Sequence, residues 1–500
     1  ANHFQLIYKP SPHKIKKALS NALKKSNAGY SDEELDIITN DVDVWIQNSN
    51  IDQISVAMID QYVVEYLKQR GLEQLAQTYL EHHKVKAEKR KSSRDINKKI
   101  HQLSSKDPSV VNENANKDSN VFNTQRDLTA GSVAKTVGLG MLPPHVANAH
   151  EKGEIHYHDL DYTPYSPMSN CCLIDFKTMF EQGFEIGNAE VEPPKSIQTA
   201  AAQTAQIIAN VASSQYGGCS FDRVDEVLAP YAELNYIKNL ETAKEWIENP
   251  KRQQEFAKEK TKKDIFDAMQ SLEYEINTLY TSQGQTPFTT LGFGLGTSWY
   301  EREIQNSILK IRIEGLGKEK RTAIFPKLVF TLKRGVNLEP TDPNYDIKEL
   351  ALECSTKRMY PDIINYEKIV ELTGSFKAPM GCRSFLQGWM DENGTDVSAG
   401  RMNLGVVTLN LPRIAMEAKG DFELFNELLE ERLTIMKDAL VYKAGRTMEA
   451  KPENAPILYL HGAFGNKIKV TDKVSDLFLN KRATISLGYI GLYEVCTAFY

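Results

Sequence analysis

The chain has 500 residues, of which 41% are hydrophobic and 25% are charged, and its formal net charge is −6. These values are ordinary for a globular protein and give no overall attraction to nucleic acid or to a membrane surface. No apolar run approaches the roughly 20 residues that span a bilayer, and the six cysteines include no CxxC pair. We therefore expect a cytoplasmic protein of about three domains with reduced thiols, not a disulfide framework.

Residues 1–90 predict a small helical domain. His13–Lys25 carries apolar side chains at helical spacing, and Ser31–Glu34 forms a capping box that opens the next helix. Two further helices are expected near Val56–Leu67 and after Gly71.

Part of this domain resembles the ATP-cone, a regulatory nucleotide-binding domain at the N-terminus of many ribonucleotide reductases. The similarity rests on Ile59–Leu67 and Leu75–Leu80. The usual Lys-Arg-Asp-Gly opening is absent, and Leu6–Pro10 stands in its place. Whether this domain binds nucleotide is left open by the sequence.

Residues 84–106 contain nine Lys or Arg residues and two acidic residues. Such a run can bind nucleic acid or phosphate, but it is more often a solvated helix. We interpret residues 91–123 as a basic linker, because a Ser-, Asn- and Asp-rich stretch follows the charged run.

From residue 124 to residue 500, buried-type strands alternate with helices, which predicts an α/β sheet or barrel. An early strand contains His156 and His158 and is followed by Asp159. Residues at i and i+2 of a strand share a face, so these side chains could bind a metal. We favour the alternative that they line a polar pocket, and we predict no metal site within this chain.

Two cysteine motifs stand out in this region. Cys171 and Cys172 are adjacent on a probable strand, so their side chains point to opposite faces. Cys382 follows Pro379 and Gly381 in a sequence typical of a tight loop. Taken alone, Cys382 could equally be a buried core residue.

Four separated motifs then occur in an order that resembles class III, the anaerobic ribonucleoside-triphosphate reductases. They are Asn170–Asp175, Pro379–Ser384, Met402–Gly405 and Ser486–Leu492. The resemblance implies a ten-stranded α/β barrel made of two antiparallel halves, each with five parallel strands. A central finger loop would carry Cys382 at its tip.

The resemblance also implies roles for individual residues. Cys382 would become a thiyl radical that takes the ribose 3′-hydrogen, and Cys171 would donate hydrogen as the 2′-hydroxyl leaves as water. Cys172 would then face the core. Asn403 would orient the ribose hydroxyls, and Met380 would shape the pocket beside the thiols. His156 and Ser384 would line the substrate pocket.

Effectors and partners follow from the same resemblance. Gln206, Lys238 and Glu273 match a specificity site where dNTPs bind at a dimer interface. The expected partners are NTP substrates, ATP or dNTP effectors, a radical-SAM activating enzyme and a second copy of the chain, with higher homo-oligomers also open. Formate is the expected reductant, with a thioredoxin-type reductant as the alternative. A glycyl radical and a four-cysteine zinc site are expected beyond Tyr500.

Two other functions stay open at this point. One is a glycyl radical enzyme of the formate-lyase type, in which Cys171 and Cys172 would act as a pair. The other is a non-catalytic nucleotide-sensing homologue that keeps the fold.

Overall fold

The structure is a computed structural model, and the chain divides into two compact units, Ala1–Lys106 and Asp107–Tyr500. The residues that it describes are 31–48, 56–81, 96–98, 100–102, 105, 107–108, 122–165, 167–376, 379–380, 384–385, 389–390, 393–479 and 482–499. No helix among them is long and apolar enough to cross a membrane.

In the first unit, helix α1 (Asp32–Asn48) and helix α2 (Val56–Gln69) are followed by a helical run at residues 73–81. The predicted capping box opens α1, because the Glu34 amide donates to Ser31 Oγ at 3.2 Å and the Ser31 amide donates to the Glu34 carboxylate at 2.8 Å. A core that includes Val42, Val63 and Tyr79 joins the helices. The predicted helix at His13–Lys25 lies outside the described residues.

The second unit contains thirteen further described helices. They are α3 (Phe122–Met141), α4 (Pro144–Glu151), α5 (Phe176–Gln182), α6 (Ile197–Ser213), α7 (Val224–Trp246), α8 (Pro250–Thr278), α9 (Trp299–Glu314), α10 (Tyr345–Arg358), α11 (Tyr366–Thr373), α12 (Leu411–Ala418), α13 (Phe422–Met448), α14 (Pro456–Tyr459) and α15 (Leu492–Phe499). Local signals fix several boundaries. Ser196 caps α6 by accepting from the Thr199 amide at 3.1 Å, and Ser298 with Glu301 forms a capping box at α9.

The strands of the second unit are short, except for two near its end. They are β1 (Ile155–Tyr157), β2 (Cys171–Leu173), β3 (Phe184–Ile186), β4 (Ala189–Val191), β5 (Cys219–Phe221), β6 (Thr289–Phe293), β7 (Lys327–Leu332), β8 (Asp362–Asn365), β9 (Pro379–Met380), β10 (Ser384–Phe385), β11 (Trp389–Met390), β12 (Asp396–Val397), β13 (Met402–Asn410) and β14 (Ala483–Ile490). Eight of them form one sheet.

Five strands of this sheet are parallel and lie in the order β2-β5-β6-β7-β8. We call them the parallel half. Strand β13 pairs antiparallel with β2, and β14 runs parallel to β13 on its other side. Strand β1 pairs antiparallel with the C-terminal end of β13. This arrangement agrees with the predicted α/β class. It contains five parallel strands and, antiparallel to them, the parallel pair β13 and β14. The full ten-stranded barrel stays a prediction.

The two faces of the parallel half have different surroundings. The outer face, which includes Cys172, Cys219 and Phe330, belongs to a large apolar core shared with helices such as α6, α8 and α9. The opposite, inner face carries Cys171, Ser220, Thr290 and Thr331.

A hairpin approaches the inner face from the segment between β8 and β13. Strands β9 and β10 pair with Met380 opposite Ser384 and Pro379 opposite Phe385. Pro379 lies beside inner-face residues of β5, β6, β7 and β8. The chain between Met380 and Ser384, which contains Cys382, lies outside the described residues. The hairpin nevertheless stands where the resemblance predicts the finger loop.

Candidate active site at the inner face

The adjacent cysteines are separated by the sheet, as their alternation predicts. Cys172 is fully buried in the outer-face core, and burial raises the pKa of its thiol well above the ordinary value. Cys171 lies on the inner face in a small apolar cluster with Leu173 and Met380. The predicted orientation of Cys172 toward the core is therefore confirmed. Because the two thiols do not share a pocket, this geometry disfavours their use as a lyase-type pair.

Met380 lies on β9 of the β9–β10 hairpin, packs in the same cluster as Cys171 and is only 1% exposed. Its contact with Cys171 brings together two residues that are more than 200 positions apart in the sequence. Cys382 follows two residues later, but it lies outside the described residues. The backbone of Ser384 is described as the partner of Met380, and its side chain is not.

Asn403 is the residue on β13 that lies directly opposite Cys171 on β2. Directly opposed residues of an antiparallel pair place their side chains on the same face, so Asn403 also belongs to the inner face. It is 2% exposed. Its amide oxygen accepts from the Gly405 amide at 2.9 Å and from Asn170 Nδ2 at 3.3 Å. Cys171, Met380 and Asn403 therefore lie together at the inner face.

Gly217 allows the chain to pass directly over the thiol. Its amide donates to the Asn170 carbonyl at 2.7 Å. A Cβ at this position would lie 2.2 Å from Asn170 Oδ1 and 2.6 Å from Cys171 Sγ, which is far inside van der Waals contact. Gly217 lies outside the motifs that point to the site. The signal was the Gly217–Gly218 pair directly before β5, which is typical of close backbone approach.

A cavity of about 370 Å³ lies on the side of Tyr216, the residue before Gly217. His156 lines this cavity together with His150 on α4, Tyr162 in the segment after β1 and residues of α3. The Tyr216 hydroxyl donates to the Leu404 carbonyl at 3.2 Å, and its ring stacks on Tyr162 at 5.6 Å between centroids. His156 therefore lies at a pocket that adjoins the Cys171 neighbourhood through Tyr216.

The titratable groups of this cavity are shifted mainly by burial. Burial lowers the pKa of His150 and of His156, so both imidazoles are predominantly neutral at neutral pH. Burial also lowers the pKa of His158 to about 4 and raises the pKa of Asp159 to about 6. His158 Nε2 is hydrogen-bonded to Thr408 Oγ1 at 2.7 Å, and its ring lies edge-on to the ring of His156 with 4.5 Å between centroids. Among the residues that the structure describes, no three His, Cys, Asp or Glu side chains come together as a metal site.

The three predicted effector residues lie on packed neighbouring helices but differ in exposure. Gln206 on α6 and Lys238 on α7 are exposed. Glu273 on α8 is 7% exposed, and its carboxylate accepts from Arg312 Nε at 2.7 Å. The Arg312 side chain is fully buried and also donates to the Pro326 carbonyl at 2.7 Å. A contact between Glu273 and an effector would require this buried ion pair to open.

Comparison with known proteins agrees with this architecture. A family model for anaerobic ribonucleoside-triphosphate reductase matches residues 113–500, and a model for the ATP cone domain matches residues 8–88. The anaerobic ribonucleoside-triphosphate reductase of Escherichia coli (strain K12) is 54% identical over 450 residues, which cover 90% of this chain and 63% of that protein. The protein of the same name from Salmonella typhimurium is 52% identical over 489 residues, which cover 97% of this chain and 68% of that protein.

Among solved structures, the anaerobic ribonucleotide reductase from Thermotoga maritima in complex with dATP and CTP is similar, with a TM-score of 0.53. The match covers 82% of this chain and 68% of that one at 17% identity, so it concerns the fold. The chain spans less than two thirds of the length of the Escherichia coli protein. The match over residues 113–500, with the high identity to two reductases, shows that the chain belongs to the anaerobic ribonucleoside-triphosphate reductase family.

Proposed function

We propose that this protein reduces ribonucleoside triphosphates to deoxyribonucleoside triphosphates under anaerobic conditions. The observation that carries the proposal is the row formed by Met380, Cys171 and Asn403 on the inner face. It combines a buried thiol, an apolar neighbour and a polar amide in one enclosed place.

The surroundings of Cys171 suit the role of a hydrogen donor to a ribose. Cys171 is 4% exposed, and Met380 and Leu173 pack against it, so the thiol is shielded from water. Exclusion of water protects reactive intermediates from side reactions. Asn403 stands beside the thiol as the amide that fixes the polar side of the pocket. Cys382 would approach Cys171 from the hairpin that already brings Met380 there.

The radical source and the reductant are part of the proposal by family resemblance. A glycyl radical generated by a radical-SAM activating enzyme would supply the unpaired electron, and formate would supply the reducing equivalents. We assign no residue of the present chain to the radical glycine or to the zinc-binding cysteines. We place the reaction in the cytoplasm, where thiols are kept reduced.

Regulation by nucleotides is proposed at two places. The ATP cone at residues 8–88 would bind ATP or dATP. Gln206 and Lys238 would contact a dNTP effector at a dimer interface, and Lys238 has the charge that a phosphate requires. The Thermotoga maritima reductase in complex with dATP supports a nucleotide effector in this fold.

The test compares Cys171→Ser with the matched control Cys172→Ser in the full-length, activated enzyme. Cys171→Ser is expected to abolish deoxynucleotide formation, because a hydroxyl is a far poorer hydrogen-atom donor than a thiol. Cys172→Ser is expected to keep most activity and to lose about 1–3 kcal/mol of stability, since it buries a hydroxyl in the core. Product analysis and thermal unfolding measure the two effects. Equal loss of turnover in both variants would contradict the assignment of Cys171.

A further inference from the structure

The amide of Asn403 has no hydrogen-bonding capacity left for a ligand. A carboxamide oxygen accepts two hydrogen bonds and its NH₂ group donates two. The oxygen is occupied by the Gly405 amide and by Asn170 Nδ2. Nδ2 donates to Ser486 Oγ at 2.6 Å and to Thr484 Oγ1 at 3.4 Å. Because the Gly405 amide can only donate, it fixes the amide with its oxygen toward Gly405 and its NH₂ group toward β14.

Ser486 receives this fixed donor and keeps a donor of its own. A serine hydroxyl that accepts from Asn403 still has its O–H hydrogen to donate. Within the described part of the chain, the structure records no acceptor for that hydrogen. Ser486 is half-buried.

Thr484 differs from Ser486 in this respect, although both lie on the same face of β14 and both accept from Asn403. The Thr484 hydroxyl donates to the Met402 carbonyl at 3.4 Å. Its hydrogen is therefore directed at the backbone, and a ligand would find no donor there. Thr484 is thus an internal comparator for Ser486.

The position of Ser486 continues the row on the inner face. Strand β14 runs parallel to β13, and Asn403 bridges from its place opposite Cys171 to Ser486. The resulting order across the sheet is Met380, Cys171, Asn403 and Ser486. A hydroxyl anchored by the Asn403 amide, in the same row as a thiol, suits a ligand that carries hydroxyl oxygens of its own.

From this geometry we propose that Ser486 donates a hydrogen bond to a ribose hydroxyl of the substrate, and that Asn403 acts by orienting Ser486. The inference rests on the proposed function and names a substrate contact within it. The contact is a neutral hydrogen bond, so its loss is expected to reduce kcat/KM by about 3- to 10-fold.

The experiment uses the full-length, activated enzyme with CTP as substrate and with 2′-deoxy-CTP and 3′-deoxy-CTP as competitive inhibitors of CTP reduction. Ser486→Ala is expected to lower kcat/KM for CTP by about 3- to 10-fold. For the analogue that lacks the contacted hydroxyl, Ser486→Ala is expected to leave the inhibition constant unchanged. For the analogue that keeps this hydroxyl, Ser486→Ala is expected to raise the inhibition constant. Ser486→Thr, which keeps the hydroxyl, should restore most of kcat/KM.

Thr484→Val provides the comparison, because it removes a hydroxyl on the same strand face. Any loss of affinity or of kcat/KM in Thr484→Val should be smaller than in Ser486→Ala, and it should be equal for CTP and both analogues. Wild-type kinetics for Ser486→Ala, or an equal loss for all three nucleotides, would overturn the contact. If the Ser486 contact is overturned in this way but Cys171→Ser is inactive in the same assay, the proposed function still stands. If the unmodified full-length enzyme forms no deoxynucleotide, the proposed function fails and the Ser486 contact fails with it.

Discussion

Gly217 offers a sharp test of the packing around the candidate thiol. The substitution Gly217→Ala would place a Cβ 2.2 Å from Asn170 Oδ1 and 2.6 Å from both the Asn170 carbonyl oxygen and Cys171 Sγ. Ordinary contacts begin at about 3.4 Å, so β2 and the Tyr216–Gly218 segment must separate by about 1 Å. Overpacking costs about 1–3 kcal/mol. Weakening of the 2.7 Å bond from the Gly217 amide to the Asn170 carbonyl adds about 1 kcal/mol.

The expected loss for Gly217→Ala is therefore about 2–4 kcal/mol. For a unit of this size that corresponds to a fall in Tm of roughly 1 °C per kcal/mol, because the unfolding entropy scales with chain length. Differential scanning calorimetry measures the shift, and product formation in the full-length enzyme measures the displacement of Cys171.

Gly445→Ala is the matched control for this substitution. Gly445 lies within α13, with no heavy atom within 4 Å of a Cβ built on it. Alanine there should raise stability by about 0.5–1 kcal/mol, since it favours the helix. An unchanged Tm and full activity in Gly217→Ala would refute the argument that only glycine fits beside Cys171.

Two further predictions concern buried charges. Glu273→Ala should cost about 3–5 kcal/mol, because it leaves the Arg312 guanidinium charged and unpaired in the core, whereas the double variant Glu273→Leu/Arg312→Met should recover most of that loss. Urea unfolding checks both, and equal losses would contradict the buried-pair argument. For Asp225, burial raises the pKa of the carboxyl to about 7 from 3.8, so its protonated form favours the folded state. Its contribution to stability is present below the unfolded pKa and is lost as pH rises toward 7. Asp225→Asn should therefore flatten the fall in stability between about pH 4 and pH 7, and an unchanged slope in thermal unfolding would count against it.

The fold class and part of the candidate site could be predicted from the sequence. Strand alternation at Cys171 and Cys172 correctly separated the inner thiol from the core thiol, because successive side chains of a strand point to opposite faces. The capping box at Ser31 and Glu34 also formed as predicted, since its interactions span only three residues. Both predictions depended on local rules.

Other features required contacts between distant segments. The burial of Glu273 is set by its ion pair with Arg312 on another helix, and no local pattern around Glu273 announces that partner. The close approach of Gly217 to Cys171 depends on the pairing of β2 with β5. The Gly217–Gly218 pair by itself indicates a close backbone approach but not which residue is approached.

The sequence by itself determined the order of strands and helices, the two faces at Cys171 and Cys172, and the resemblance that identifies the family. These are matters of periodicity, turn chemistry and motif order. Only the tertiary structure decided that Met380, Cys171, Asn403 and Ser486 form one row, because it joins Cys171 to segments more than 200 residues away and Asn403 to Ser486, 83 residues further on. It also decided which hydroxyl stays available, because the hydrogen-bonding capacity of the Asn403 amide is used up by neighbours on three strands and their flanking residues.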